Sequence, residues 1–279
     1  MARSTAYYLK AREAVPPEQR PVPRKRGPIG AATDDDLVDH IRGVLAESPF
    51  FGEGYRKVWA RLRHRGIRTA AERVRRLMRE HLLQAPRRGG SPHGPRAHDG
   101  TITTDEPDTM WGTDMTTTVT IDQGTAHVFV AVDHCTCECV GLHAAKSGNR
   151  FEALEPLRQG VREHFGGFGP DVAEGLAIRH DHGSSYMSGD FQRELTFLGA
   201  VSSPSFVREP EGNGCAERFI RTLKEQVLWA RTFATVEERA GALREFKRTY
   251  NERRLIGRHG HRTPAQVRRD LVGSKAAAA

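Results

Sequence analysis

The chain has 279 residues, 37% of them hydrophobic and 28% charged, with a formal net charge of +8. That balance is ordinary for a folded globular protein and long enough for two modest cores, so wholesale disorder is excluded. No run of eighteen apolar residues is present, and the N-terminus lacks an apolar core with a small-residue cleavage site, which together exclude a spanning helix and a secretory leader and make a cytoplasmic protein with no membrane partner the expectation.

The charge is unevenly placed. Residues 1–100 hold 21 Lys and Arg against 11 Asp and Glu, whereas residues 101–279 hold 22 against 24, so the basic character sits in the first third and points to a polyanionic partner. Cys135, Cys137 and Cys139 alternate and would share one face of a strand, with Cys215 far away in sequence. No CxxC pair or HExxH helix suggests zinc, and buried thiols are expected.

In chain order, residues 1–32 are rich in Pro, Arg and Lys and read as a basic arm or linker. Residues 33–85 read as three short helices. DDDLVDHIRGVLAES opens with acids that suit a helix N-terminus and carries Leu37, Ile41, Val44 and Leu45 at helical spacing. GYRKVWARLRHRG places Tyr55, Val58, Trp59 and Leu62 on one face and stops at Gly66. TAAERVRRLMREHLL begins with Thr69 and Glu72 at capping-box spacing, packs Val74, Leu77 and Met78 inward, and leaves Arg73, Arg75, Arg76 and Arg79 outside. This is a helix-turn-helix pattern whose arginine-rich second helix suits DNA phosphates and guanine edges, although a solvated bundle surface would look the same. Residues 86–108 are a linker by composition.

The period then changes. MWGTDMTTTVTI, AHVFVAVDH and CECVGLHAA read as three strands, FEALEPLRQGVREHF as a helix, GLAIRHD as a fourth strand and GDFQRELTFL as a helix. VSS is a short strand at most, SPSFVREPEGNG a loop, and CAERFIRTLKEQVLWA the start of one long helix. Three strands followed by alternating helix and strand predict an α/β mixed sheet flanked by helices over 109–235, with a C-terminal helix and tail over 236–279.

Three acids stand in suggestive settings: Asp114 inside the first strand, Asp181 at the end of the fourth, and Glu217 one turn into the late helix, after Gly-Asn-Gly. Phosphodiester transfer requires charge stabilisation on the phosphoryl oxygens and on the leaving oxygen, which two Mg²⁺ ions held by carboxylates provide. Three clustered acids repel one another without metal, so such a cluster is costly as structure but sensible as a metal site. Lys224, two turns beyond Glu217, can meet a phosphate; Arg221, one turn beyond, can help or stand solvated. Asp133 reads as structural, and His180 and His182 as packing or DNA-contact groups rather than bases.

WGTDMT, RHDHGSSY and EGNGCAERFIRTLKEQ resemble the three motifs of the Asp-Asp-Glu integrases and transposases, with 35 residues between Asp181 and Glu217. Together with the N-terminal helical pattern, YNERR at 250–254 and HRTPAQV at 261–267, they are most similar to the second-frame (OrfB-type) transposases of the IS three insertion-sequence family. The resemblance runs from STAYYLKAR onward. It implies a ribonuclease H-like fold preceded by a small all-α helix-turn-helix domain, and metal-dependent DNA strand cleavage and strand transfer at insertion-sequence ends. The site it implies is Asp114, Asp181 and Glu217 as catalytic and metal-holding residues for two Mg²⁺ ions, with Mn²⁺ able to substitute, and a basic group at Lys224. The partners are double-stranded DNA, further copies of the chain on that DNA, and a first-frame protein for end recognition. HCTCEC at 134–139 and LIGRHGHRTP after YNERR depart from the family's usual forms, and neither touches the three acids. A DNA-binding regulator with inert acids and a nuclease that cuts without joining are the alternatives.

Overall fold

The structure is a computed structural model and describes residues 15–16, 32–86, 102–205 and 210–278. The arm and most of the linker expected at 1–32 and 86–108 lie outside the described residues.

Three helices open the chain: α1 (Asp34–Glu47), α2 (Tyr55–His64) and α3 (Ala71–Glu80). Leu37, Val38, Ile41, Val44, Val58, Leu62, Val74, Leu77 and Met78 form their common core, which is the inward face the spacing predicts. The capping box expected at Thr69 and Glu72 is not formed. Helix α3 starts at Ala71 behind Ala70, so Glu72 falls one position short of the residue that closes such a box. Thr69 instead lends its carbonyl oxygen to the Trp59 indole at 2.8 Å. A capping box does form two helices earlier, between Thr33 and Asp36 at the start of α1.

A five-stranded sheet follows, built from β1 (Met110–Thr120), β2 (Gly124–Asp133), β3 (Cys139–Ala145), β4 (Ala177–His180) and β5 (Val201–Pro204). The order is β3-β2-β1-β4-β5, with β1, β2 and β3 antiparallel and β4 and β5 parallel to β1. This is the mixed, ribonuclease H-like sheet that the motifs imply. Strand β2 is apolar without a break from Val128 to Val132 because both its faces are covered there. Val128, Val130 and Val132 point to one layer, with helix α6 (Gly214–Leu223) and helix α7 (Val236–Arg253). Phe129 and Ala131 point to the other, against α4 (Arg150–His164) and α5 (Gly189–Phe197). At Gly141 of β3 an added Cβ would lie 1.9 Å from the carbonyl oxygen of Pro156, so only glycine lets α4 lie this close to the sheet.

Two further readings are corrected. The third strand starts at Cys139 rather than Cys137 and the second ends at Asp133 rather than His134, because Asp133 draws the chain back on itself in a tight turn over 134–138. Its carboxylate accepts from the Thr136 amide and hydroxyl and from the Asp108 amide, and its carbonyl accepts from the Cys137 amide. Cys137 takes a left-handed φ of 61° in this turn, so the three alternating cysteines do not share a strand face. All four thiols are nonetheless free and buried. The late helix is also not continuous. Helix α6 gives way to a π-helical turn at Lys224–Leu228 and ends at Trp229. The C-terminal part is a buttress more than a tail: helix α8 spans Pro264–Ala278, and Arg268 reaches Asp108 and Glu138 while Asn251 of α7 pairs with both backbone groups of Cys139.

Candidate active site

Asp114 belongs to β1 opposite Val130, so its side chain emerges in the layer that holds α6. The last residues pairing β1 with β4 are Gly112 and Arg179, and two residues beyond each stand Asp114 and Asp181. Parallel pairing therefore brings Asp114, within β1, level with Asp181, just beyond the carboxyl end of β4. Open α/β sheets bind ligands at this end, beyond the carboxyl ends of their strands.

Glu217 arrives from a different direction, and Asn213 determines where. Its buried amide donates to the carbonyl oxygen of Thr113 at 2.9 Å, pinning the start of α6 beside Asp114. Gly112 makes the contact possible, since a Cβ there would fall 2.5 Å from the Asn213 Oδ1 and 2.7 Å from the His134 ring. Arg179 of β4 holds the same segment through the Gly212 carbonyl at 3.2 Å. Glu217 lies four residues after Asn213, one helical turn on.

Asp114 and Glu217 line one open cleft of about 640 Å³ together with Met115, Ile220, Arg221, Lys224, Glu225 and Trp229. Asp181 is exposed beside that cleft rather than among its lining residues, and its Oδ1 accepts from the Gly183 amide at 2.8 Å. Burial, and then the neighbouring charges of Asp181 and Glu217, push the Asp114 carboxyl up to about 6, against the lowering pull of the Met115 amide and of Lys224. Burial also raises Glu217 above its ordinary value.

Three carboxylates are, in kind, the donor set a hard divalent cation takes. The raised Asp114 value marks a place where added positive charge would favour the ionised form. Among the described residues no three Asp, Glu, His or Cys groups are gathered tightly enough to make a preassembled metal cage.

Lys224 and Arg221 both face this cleft, and Arg221 pairs with Glu225 at 3.2 Å. His180 is packed: its ring nitrogens meet the Asp181 carbonyl and the Ser202 hydroxyl, and its ring stacks on Tyr186. His182 binds the Ser205 carbonyl at 2.7 Å.

The arginines of α3 are far from equivalent. Arg73 and Arg76 are half-buried and both grip Asp34 at the start of α1, at 2.6 Å each. The pair holds the Asp34 carboxyl down at about 2. Arg75 is exposed, pairs with Glu72 and lies over the Tyr55 ring, and Arg79 is exposed.

Sequence reasoning missed Asn213, Tyr186 and Trp229. Asn213 was legible only as part of a Gly-Asn-Gly breaker. Tyr186 closes the motif RHDHGSSY, and burial, then the nearby charge of Asp114, raises its phenol far above the ordinary value. Trp229, which follows Val227 and Leu228, is 71% exposed.

Residues 33–90 match the HTH-like domain family and residues 202–264 the integrase core domain family. The second match contains Glu217 and Lys224; Asp114 and Asp181 precede it. The chain is 29% identical over 244 residues, 85% of its own length and 80% of the relative's, to transposase InsD for insertion element IS2A/D/F/H/I/K of Escherichia coli. The same figures hold for transposase InsD for insertion element IS2D of Escherichia coli strain K12. Among solved structures it is similar to a chain of the simian T-cell lymphotropic virus intasome in complex with PP2A regulatory subunit B56 gamma. That likeness has 19% identity and a TM-score of 0.49, covering 75% of this chain and 70% of that one. No helix among the described residues is long and apolar enough to cross a membrane.

Proposed function

We propose that this chain, an HTH-like domain joined to an integrase core of the transposase and integrase family, is a DNA transposase that cuts and joins strands at the ends of an insertion sequence. The observation that supports this most directly is the delivery of Asp114 and Glu217, from a central strand and a separate helix, into one cleft that also presents Lys224. Asp181 stands close enough to oppose the ionisation of Asp114.

Asp114, Asp181 and Glu217 would hold the divalent cations. When bound, two such ions would supply charge neutralisation on the scissile phosphate and would lower the pKa of the attacking water or 3′ hydroxyl. The chain's own groups do the rest. Lys224 binds a phosphate and Arg221, held by Glu225, lies one turn from Glu217 on the same wall. The buried Asn213 and Arg179 keep α6 against β1, so that Glu217 does not drift from Asp114. Arg75 and Arg79, the exposed arginines of α3, are the better candidates for DNA contact, because Arg73 and Arg76 already hold Asp34. Work on two element ends calls for at least two copies of the chain on DNA, acting in the cytoplasm on the chromosome.

The test incubates the protein with Mg²⁺ and DNA carrying a pre-cut element end. Joined product is expected, and Asp114→Asn, Asp181→Asn and Glu217→Gln are each expected to lower joining by at least a hundredfold while DNA binding in a gel shift persists. Joining that survives in one variant removes that residue from the site. Nicks without joining in the wild type would make the protein a nuclease, and DNA binding with no strand breakage a regulator.

A further inference from the structure

Trp229 is 71% exposed and lines the cleft with Asp114, Glu217 and Lys224. A large aromatic ring left in water forgoes the burial that usually stabilises it, and here the ring stands on a cleft wall beside two other apolar side chains, Met115 and Ile220. The backbone is shaped to put it there. In an α-helix a residue five positions on is turned by about 140° from its predecessor, which would carry Trp229 away from Lys224. The chain instead runs as a π-helix over Lys224–Leu228, and the Trp229 amide bonds to the Lys224 carbonyl at 2.8 Å. This wider turn keeps both side chains on the cleft wall. Single π-helical turns are uncommon and concentrate at functional sites.

The lining divides by chemistry. Lys224 and Arg221 suit phosphates, and Asp114 and Glu217 suit cations. Met115, Ile220 and the Trp229 ring make an apolar wall that suits the flat face of a base. We propose that Trp229 is a stacking platform for a nucleobase, one that has left its pair at the DNA end held in this cleft. The proposal rests on the transposase reading for the identity of its substrate. Double-helical DNA hides its base faces within the stack, so the ring can be covered in this way only by a base that is unpaired. Aromatic stacking of this kind tolerates any base, and its removal weakens single-strand binding by about tenfold or more per base.

The experiment compares two fluorescein-labelled probes by anisotropy with the full chain: a ten-nucleotide oligothymidylate, and a ten-unit abasic strand with the same phosphates. The expected result is about tenfold tighter binding of the thymidylate. Trp229→Ala should abolish that preference and Trp229→Phe should keep most of it, whereas Lys224→Ala should weaken both probes alike. A Trp229→Ala protein that still prefers the thymidylate tenfold would overturn the proposal, as would a wild type with no preference. If Trp229→Ala shifts the sedimentation of the free protein and leaves the preference intact, a second copy of the chain covers the ring and the proposal fails. Because neither probe reacts, the outcome is separate from the joining assay. Joining retained by Asp114→Asn would undo the catalytic assignment without altering the base preference.

Discussion

Asp114 carries a cost that can be read at a single residue. Its carboxyl is raised from an ordinary 3.8 to about 6, chiefly by burial. Below the unfolded value both states are protonated and nothing is lost; between the two values the folded state holds the extra proton, and stability falls as pH rises; above about 6 the full penalty is present. Asp114→Asn keeps an oxygen for the Met115 amide and removes the charge. It should therefore stabilise the metal-free protein by about 2 kcal/mol at pH 7.5, after discounting the full shift for partial exposure. The gain should vanish near pH 4. Urea midpoints of both proteins across that range check this, and a gain that is the same at every pH would mean the carboxyl is not perturbed. Mg²⁺ should narrow the gap by stabilising the wild type alone, and chelation should restore it.

At the scale of elements, the site depends on how α6 meets β1. Asn213 spans that junction with one hydrogen bond to a strand carbonyl, in a place from which Gly112 has withdrawn its side chain. Asn213→Ala leaves the Thr113 carbonyl buried and unpaired at a cost of about 1–3 kcal/mol. On the proposed function it should also lower joining by more than the stability loss explains, because Glu217 is released from its register with Asp114. Joining that stays at the wild-type rate per folded molecule would show that α6 is held by its apolar face alone. That face was legible: Ala216, Phe219, Ile220 and Leu223 recur at helical spacing and are all buried. The π-helical turn that follows was not, because the same residues at the same spacing also fit an ordinary helix. Only the packing of Val227 and Leu228 in the sheet layer, with Gln226 held by both backbone groups of Phe51, goes with the wider turn.

At the scale of the whole molecule, the helical unit is docked onto the sheet unit. Phe50, in the loop between α1 and α2, is 4% exposed within the core formed by α6 and α7, with the Arg254 guanidinium over its ring. Arg61 reaches the Arg253 carbonyl and Trp59 meets the His261 ring edge-on. Through Gln226 the same loop touches the π-helical turn that carries Lys224 and Trp229. Phe50→Ala should cost about 3–5 kcal/mol and separate the two units in unfolding. Helical circular dichroism should then fall at lower urea than the emission of the buried Trp111. A single coincident transition in the variant would show that the units are held together elsewhere.

Local pattern by itself determined a great deal here: the three N-terminal helices, β1, β2, β4 and their flanking helices, whereas the three acids were joined into one proposed site by the resemblance of their motifs to a known family. Each of those elements is written in a repeat of 2 or 3.6 residues, or in residue types whose spacing along the chain is enough to recognise. What only the tertiary structure decided is where distant pieces meet. It set Asp114 and Glu217 on one cleft with Asp181 beside it, committed two of the four arginines of α3 to Asp34, folded the cysteine-bearing segment into a turn around Asp133, and left Trp229 in the open. None of this follows from periodicity. A carboxylate's partner, an arginine's counter-charge and an indole's exposure depend on groups up to a hundred or more residues away, and only the folded chain brings those within reach.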